Sequence, residues 1–194
     1  MRKAYVRKVL LIGVGIVVCI LWMSGWLNLQ IKGLSVIAED VEGYRLQAYP
    51  VDGEYSAKID LSDLDSNEGK VLYDDGENQI YVEKVYVSGN SDYEVNFRSS
   101  GTYRVRGATV VSGNEHARTE NGFTLINHVN ATATYQGDSY KIYPSGSSGL
   151  NYRDGDSFGY YLNPHDKEVD IDIEKDPIIE VKLSNLYMHK WEKK

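Results

Sequence analysis

From Val9 to Leu27 the chain runs through nineteen consecutive uncharged residues, and this run constrains everything that follows it. As a helix rising about 1.5 Å per residue it reaches roughly 28 Å, close to the ~30 Å hydrocarbon core of a bilayer. Val, Ile and Leu fill eleven of its positions. At about −0.3 to −0.6 kcal/mol each, they favour insertion by on the order of 5 kcal/mol. Trp22 and Trp26 stand near the far end, where aromatic rings settle at a membrane interface. Arg2, Lys3, Arg7 and Lys8 precede the run, and Glu39, Asp40 and Glu42 follow it. The positive-inside rule then predicts a cytoplasmic basic stub over residues 1–8, one transmembrane helix over 9–27 in contact with the lipid bilayer, and the remainder outside the cytoplasm.

The competing reading is a cleaved signal peptide. Val36-Ile37-Ala38 offers small-residue spacing before Glu39, but that position lies eleven residues beyond the apolar run. The run also exceeds the usual 7–15 residues of a signal sequence, so a retained anchor is expected. If the segment is cleaved, the domain is secreted and still leaves the cytoplasm. Cys19, the one cysteine, falls inside the run and is preceded by Val18, where a lipidation signal wants a small residue. It is expected to face lipid. Gly13 and Gly15 lack the four-residue spacing that pairs helices.

Beyond the run and a juxtamembrane connection over 28–43, the sequence reads as one extracytoplasmic domain over 44–194. Roughly 155 residues outside the anchor suffice for a single core without disulfides. Sixteen Tyr against three Phe, and eighteen Gly against four Pro, favour strands joined by tight turns. Period-two alternation recurs over 55–61, 93–97, 129–135, 169–173 and 179–183, with shorter candidates at 44–49, 71–73, 79–87, 102–111, 123–127, 139–143 and 158–162. Turn pairs fall between them: Asp52-Gly53, Asp75-Gly76, Gly89-Asn90, Gly113-Asn114, Asn121-Gly122, Gly137-Asp138 and Asp154-Gly155. The fold class expected is all-β, an antiparallel β-sandwich or barrel-like domain preceded by one N-terminal transmembrane helix. The stretch 60–70 is the least strand-like and has room for a helix.

Past residue 8, 17 Lys and Arg face 28 Asp and Glu, a formal charge of −11. Such a domain is expected to repel nucleic-acid phosphates and anionic lipid headgroups, which excludes nucleic acid as a partner class. Asp63, Asp65 and Asn67 have the first three spacings of a calcium loop, but Glu68 stands where the turn needs glycine and Asp74 where a bidentate Glu belongs. A solvated loop is expected there. Asp170, Asp172 and Glu174 would line one face of a strand, as charges that discourage edge-to-edge pairing. His116, His128, His165 and His189 are scattered, with no close pair at metal-ligand spacing. There is no G-x-S-x-G elbow and no phosphate-cradling Gly-Lys-Ser/Thr loop. No catalytic residue, metal site or cofactor is assigned.

The remaining candidate is a set of tyrosines, Tyr140, Tyr143, Tyr152, Tyr160 and Tyr161, interleaved with the flexible Pro144–Gly149 and Asp154–Asp156 stretches. Exposed rings beside polar loops make a binding platform, because a rigid ring gives contact area at small entropic cost. The tail from Tyr187 to Lys194 reads as a frayed, solvated terminus. The function expected is a non-enzymatic binding or interaction module at a bacterial cell surface, with an envelope polymer or a protein as partner. The alternative is an extracytoplasmic hydrolase of sugar or cell-wall polymers using paired carboxylates. A third reading is an assembly subunit that pairs through a sheet edge.

Overall fold

The computed structural model describes residues 2–88, 92–163, 169 and 171–194. Three helices come first: α1 (Arg2–Met23), α2 (Trp26–Lys32) and α3 (Leu34–Glu39). Thirteen strands follow: β1 (Tyr44–Asp60), β2 (Val71–Asp74), β3 (Gln79–Ser88), β4 (Asp92–Ser100), β5 (Thr102–Arg104), β6 (Gly107–Ser112), β7 (Asn114–Thr119), β8 (Gly122–Asn127), β9 (Asn130–Tyr135), β10 (Asp138–Lys141), β11 (Tyr143–Ser147), β12 (Ser157–Tyr161) and β13 (Ile178–Lys193). All the pairings are antiparallel, so the all-β expectation holds for the body of the chain.

The first sheet runs β10-β9-β13-β6-β5, with β1 along the other side of β13; the second runs β11-β12-β4-β3-β2, and β7-β8 is a separate hairpin. The two large sheets face each other as a sandwich. Ile59, Ala133, Val181 and Leu183 of the first pack with Ile80, Val82, Val95, Phe97 and Phe158 of the second, all at 0–1% exposure. A second core, separate from the first, joins Ala108, Val110 and Trp191 of the first sheet to Leu29, Leu34, Ile37 and Ala38 of α2 and α3. The stretch 28–43 thus carries two short helices that dock onto the body. Fully burying Leu34 and Ile37 is worth about 1.5–3 kcal/mol each.

One strand serves both cores because its pleat changes phase. Asn185 takes φ 60°, a left-handed value that Asn tolerates better than most residues. Before it, Ile179, Val181 and Leu183 face the sandwich; after it, Leu186 and Met188 do, while Trp191 enters the second core. At the same level β1 has a bulge between Val51 and Glu54. Asp52-Gly53, expected as a hairpin turn, is this bulge, and the two strand candidates on either side are one seventeen-residue strand. The tail is likewise no frayed end: it is the C-terminal part of β13, paired on both sides, with Trp191 only 2% exposed.

Three other expectations meet a different local structure. The strand expected over 169–173 is absent among the described residues, and 173–175 form a turn. Asp172 accepts the Glu174 and Lys175 N–H groups at 3.1 and 3.3 Å, so an Asx-type turn wins over the period-two pattern, and Asp172 and Glu174 do not line a strand face. Asp170, His165 and the Gly89-Asn90 turn lie outside the described residues. In the 60–69 loop, which holds a 3-10 turn at Asp65–Asn67, Asn67 is fully buried. Its Nδ2 donates to the Asp60, Asp63 and Leu64 carbonyls, and its Oδ1 accepts from Asp60 N–H and Lys70 Nζ at 2.7 Å. The third oxygen of the calcium spacing is therefore a loop clamp. Among the described residues, no group of three or more His, Cys, Asp or Glu side chains is placed to hold a metal ion.

The helical segment departs from a straight 9–27 span. α1 ends at Met23, Gly25 turns the chain at φ 74°, and α2 leaves at 70° to Leu10–Met23. Among the described residues no single helix is long and apolar enough to cross a membrane; the bent pair meets the requirement together.

Replacing Trp191 with Ala is expected to lower the unfolding free energy by about 3–5 kcal/mol, the usual range for an aromatic ring lost from a core. Urea unfolding of the full chain in detergent, followed by far-ultraviolet circular dichroism, measures it. A loss below about 1 kcal/mol, the size of an ordinary surface substitution, would mean that the tail does not hold the body together.

Candidate functional site

A buried polar cluster is sealed where the first sheet, the β7–β8 hairpin and the Asp154-Gly155-Asp156 loop meet. Ser112 comes from β6, His116 from β7, His189 from β13 and Asp156 from the loop; all four are 0% exposed. Asp156 Oδ2 accepts from Ser112 Oγ at 2.7 Å and lies 3.0 Å from His116 Nε2. A carboxylate oxygen needs a donor, so Nε2 carries the proton. The His116 backbone N–H in turn donates to His189 Nε2 at 2.9 Å, which requires that nitrogen to be bare. The two rings meet edge to face at 4.9 Å, and Phe123 and Trp191 close the stack on either side.

The charge states follow from these contacts. Burial alone would raise the Asp156 carboxyl, but the hydrogen bond and charge of His116 and the Ser112 hydroxyl outweigh it and hold it below the ordinary carboxylate value. Burial and the neighbouring His116 push His189 the other way for a base, down to about 3, so it stays neutral and keeps accepting. Ser112 and His116 address the same carboxylate oxygen, and no hydrogen bond joins them among the described residues. Nucleophilic catalysis needs the hydroxyl on the base and a path for substrate. This arrangement has neither and acts as a polar keystone.

The loop that carries Asp156 also builds the outer surface. Asp154 turns outward to pair with Arg98 and accept from Ser100 Oγ. Between the two carboxylates, a Cβ on Gly155 would sit 2.1 Å from the Ser99 carbonyl, so only glycine fits. One residue earlier, the Arg153 carbonyl accepts from Leu34 N–H at 2.7 Å and fixes the start of α3. Between α2–α3 and residues 148–153 lies an open groove of about 440 Å³, with Lys32, Glu39, Phe123, Asn151 and Arg153 among its lining.

The five tyrosines do not share one platform. Tyr140 and Tyr160 are core residues, 5% and 1% exposed. Tyr140 Oη donates to the Leu162 carbonyl, and burial pushes both phenols up to about 12. Tyr152 is half-buried, with its ring under the Arg98 guanidinium at 3.6 Å and its hydroxyl donating to Glu83 at 2.7 Å. Tyr143 and Tyr161 are half-buried and sit opposite each other in the β11–β12 pairing. Protein-family models, curated proteins and solved structures give no match to this chain.

Sequence reasoning reads the histidines as unrelated, yet two of them meet across 73 residues. The available signal is alternation: Asn114 and His116 are buried at period two in β7, as are His189 and Trp191 in β13.

Acid should loosen this cluster. An unfolded His titrates near 6.5, whereas His189 resists protonation down to about 3. The unfolded chain therefore binds a proton that the folded chain refuses. Its contribution is complete above about pH 6.5 and falls by about 1.4 kcal/mol per unit as pH drops toward 3. Asp156, held below its unfolded value, adds a loss only below about pH 4. Urea titrations between pH 6.5 and 4 should show roughly 3 kcal/mol of lost stability, and His189→Gln, which keeps an acceptor, should flatten that limb. An unchanged slope in the variant would assign the acid sensitivity elsewhere.

Proposed function

We propose that this chain is a single-pass membrane protein whose β-sandwich stands outside the cytoplasm and works as a non-enzymatic binding module. The observation that carries the reading is the bare apolar surface of α1. Leu10, Leu11, Ile12, Val14, Ile16, Val17, Val18 and Ile20 are 48–64% exposed, on all sides of the helix. Water does not tolerate such a helix; a hydrocarbon layer does. Leu10–Met23 spans only about 21 Å, but α1 as a whole reaches about 33 Å, and basic side chains near a helix end snorkel to the interface. Trp22 and Trp26 mark the outer boundary, 73% and 41% exposed. The basic residues before the run orient the body outward.

Two observations favour binding over hydrolysis. The Ser, His and Asp cluster is closed to substrate. The open groove beside residues 148–153 offers both charge signs and an aromatic face to an envelope polymer or a protein.

The anchor is testable by fractionation. The full chain should remain in the membrane pellet after alkaline carbonate extraction. Ile16→Arg with Val17→Arg adds about 2.5–3.5 kcal/mol per charge, more than the ~5 kcal/mol that favours insertion, and should release it. A wild-type chain already in the supernatant would end the proposal.

A further inference from the structure

We infer that the β5–β6 hairpin tip, Arg104-Val105-Arg106, is a membrane-surface wedge that holds the domain against the phosphates of anionic lipid headgroups. The inference rests on the anchor reading and adds a second contact with the bilayer. Its first ground is position. Val105 lines the same small cavity, about 170 Å³, as Ser24 and Gly25, the residues directly after α1. On the anchor reading, the hairpin tip therefore stands at the level where the spanning helix leaves the hydrocarbon.

The second ground is chemistry. Val105 is 38% exposed at the tip, and both flanking arginines are exposed. Neither guanidinium has an ion pair or side-chain hydrogen bond among the described residues. Of the nearby carboxylates, Glu192 meets Lys190 at 2.7 Å and Asp40 accepts from Gly43 N–H at 2.8 Å, while Glu77 lines the same open pocket as both arginines. An apolar residue between two free guanidinium groups suits the headgroup layer, since the aliphatic side chain enters the acyl boundary while each planar fork takes a phosphate.

The third ground is rigidity. Tyr44 Oη donates to the Val105 carbonyl at 2.8 Å, and Lys193 N–H to the Arg106 carbonyl at 2.9 Å. These bonds tie the tip to both strands of the central ribbon, so it is held toward the helix exit. The body as a whole is acidic, so the attraction to an anionic surface is confined to this tip. The far end of the ribbon, where Asp60 pairs with Ile178, carries the Asp63–Asp65 loop and the Asp172–Asp176 turn, roughly 50 Å away.

The test uses the full chain in lipid nanodiscs. Cys19→Ser supplies a background for Val105→Cys or, at the far end, Glu174→Cys, each labelled with an environment-sensitive fluorophore. Native Cys19 carries the label in a third sample, and nitroxides are placed on lipid headgroups or deep in the acyl chains. With 30% phosphatidylglycerol the probe at 105 should be quenched by headgroup nitroxides at least twofold more than the probe at 174. That difference should be lost with all-phosphatidylcholine discs or with Arg104→Gln and Arg106→Gln together. Equal quenching at 105 and 174, while Cys19 is quenched by deep nitroxides, overturns the wedge and leaves the anchor standing. Quenching at 105 that ignores both lipid charge and the arginines overturns the headgroup assignment. A Cys19 probe untouched by deep nitroxides removes the anchor and the wedge together.

Discussion

The pairing of β1 with β13 is the constraint on which the rest of this structure depends. It runs from Tyr44 opposite Lys193 to Asp60 opposite Ile178, and joins the first strand of the body to the last. Because β13 is flanked by β1 on one side and by β9 and β6 in succession on the other, the sheet cannot close until the end of the chain has arrived. Long-range pairings of this kind are slow to form, since loop closure must precede the contacts that reward it. The phase change at Asn185 then lets a single ribbon line two cores, one against the second sheet and one against α2 and α3.

The polar keystone sits where these layers join, and it explains why charged and imidazole groups occur at zero exposure. A buried carboxylate costs several kcal/mol unless it is hydrogen-bonded. Here Ser112 and His116 both address its Oδ2 from two elements, while His189 engages His116 from a third. The loop bearing Asp156 also caps α3 through the Arg153 carbonyl, so the short helices and the sandwich are fixed by one short stretch of chain. Gly33 permits that contact: a Cβ there would lie 1.9 Å from the same carbonyl oxygen.

Strands with clean alternation and nearby turn residues are legible from residue order alone. Tyr93, Val95 and Phe97 fall in β4, and Ala131, Ala133 and Tyr135 in β9. The ribbon is not legible as one object, because Asp52-Gly53 has the chemistry of a hairpin turn and only the partner strand makes it a bulge. The tail hides its role for a related reason: Lys190, Glu192 and Lys193 dominate its composition, while the alternating His189 and Trp191 decide its burial. Among the tyrosines, residue type does not separate Tyr160, which packs between Phe158 and Asn127, from the half-exposed Tyr152, because both are ordinary strand-compatible rings. Distances across 40 and 73 residues, which define the sealed cluster, are set by topology and leave no local mark.

The geometry of the ribbon bears on how the domain carries load. The helical segment leads into β1 at its Tyr44 end, beside the last residues of β13. If the far end of the domain is gripped and drawn away from the helices, tension runs lengthwise along β1 and slides it against β13. The ladder bonds lie across that pull and must yield as a set. Peeling them one by one would require a force directed sideways. A body held by this strand at its Tyr44 end is thus braced against a pull along the strand.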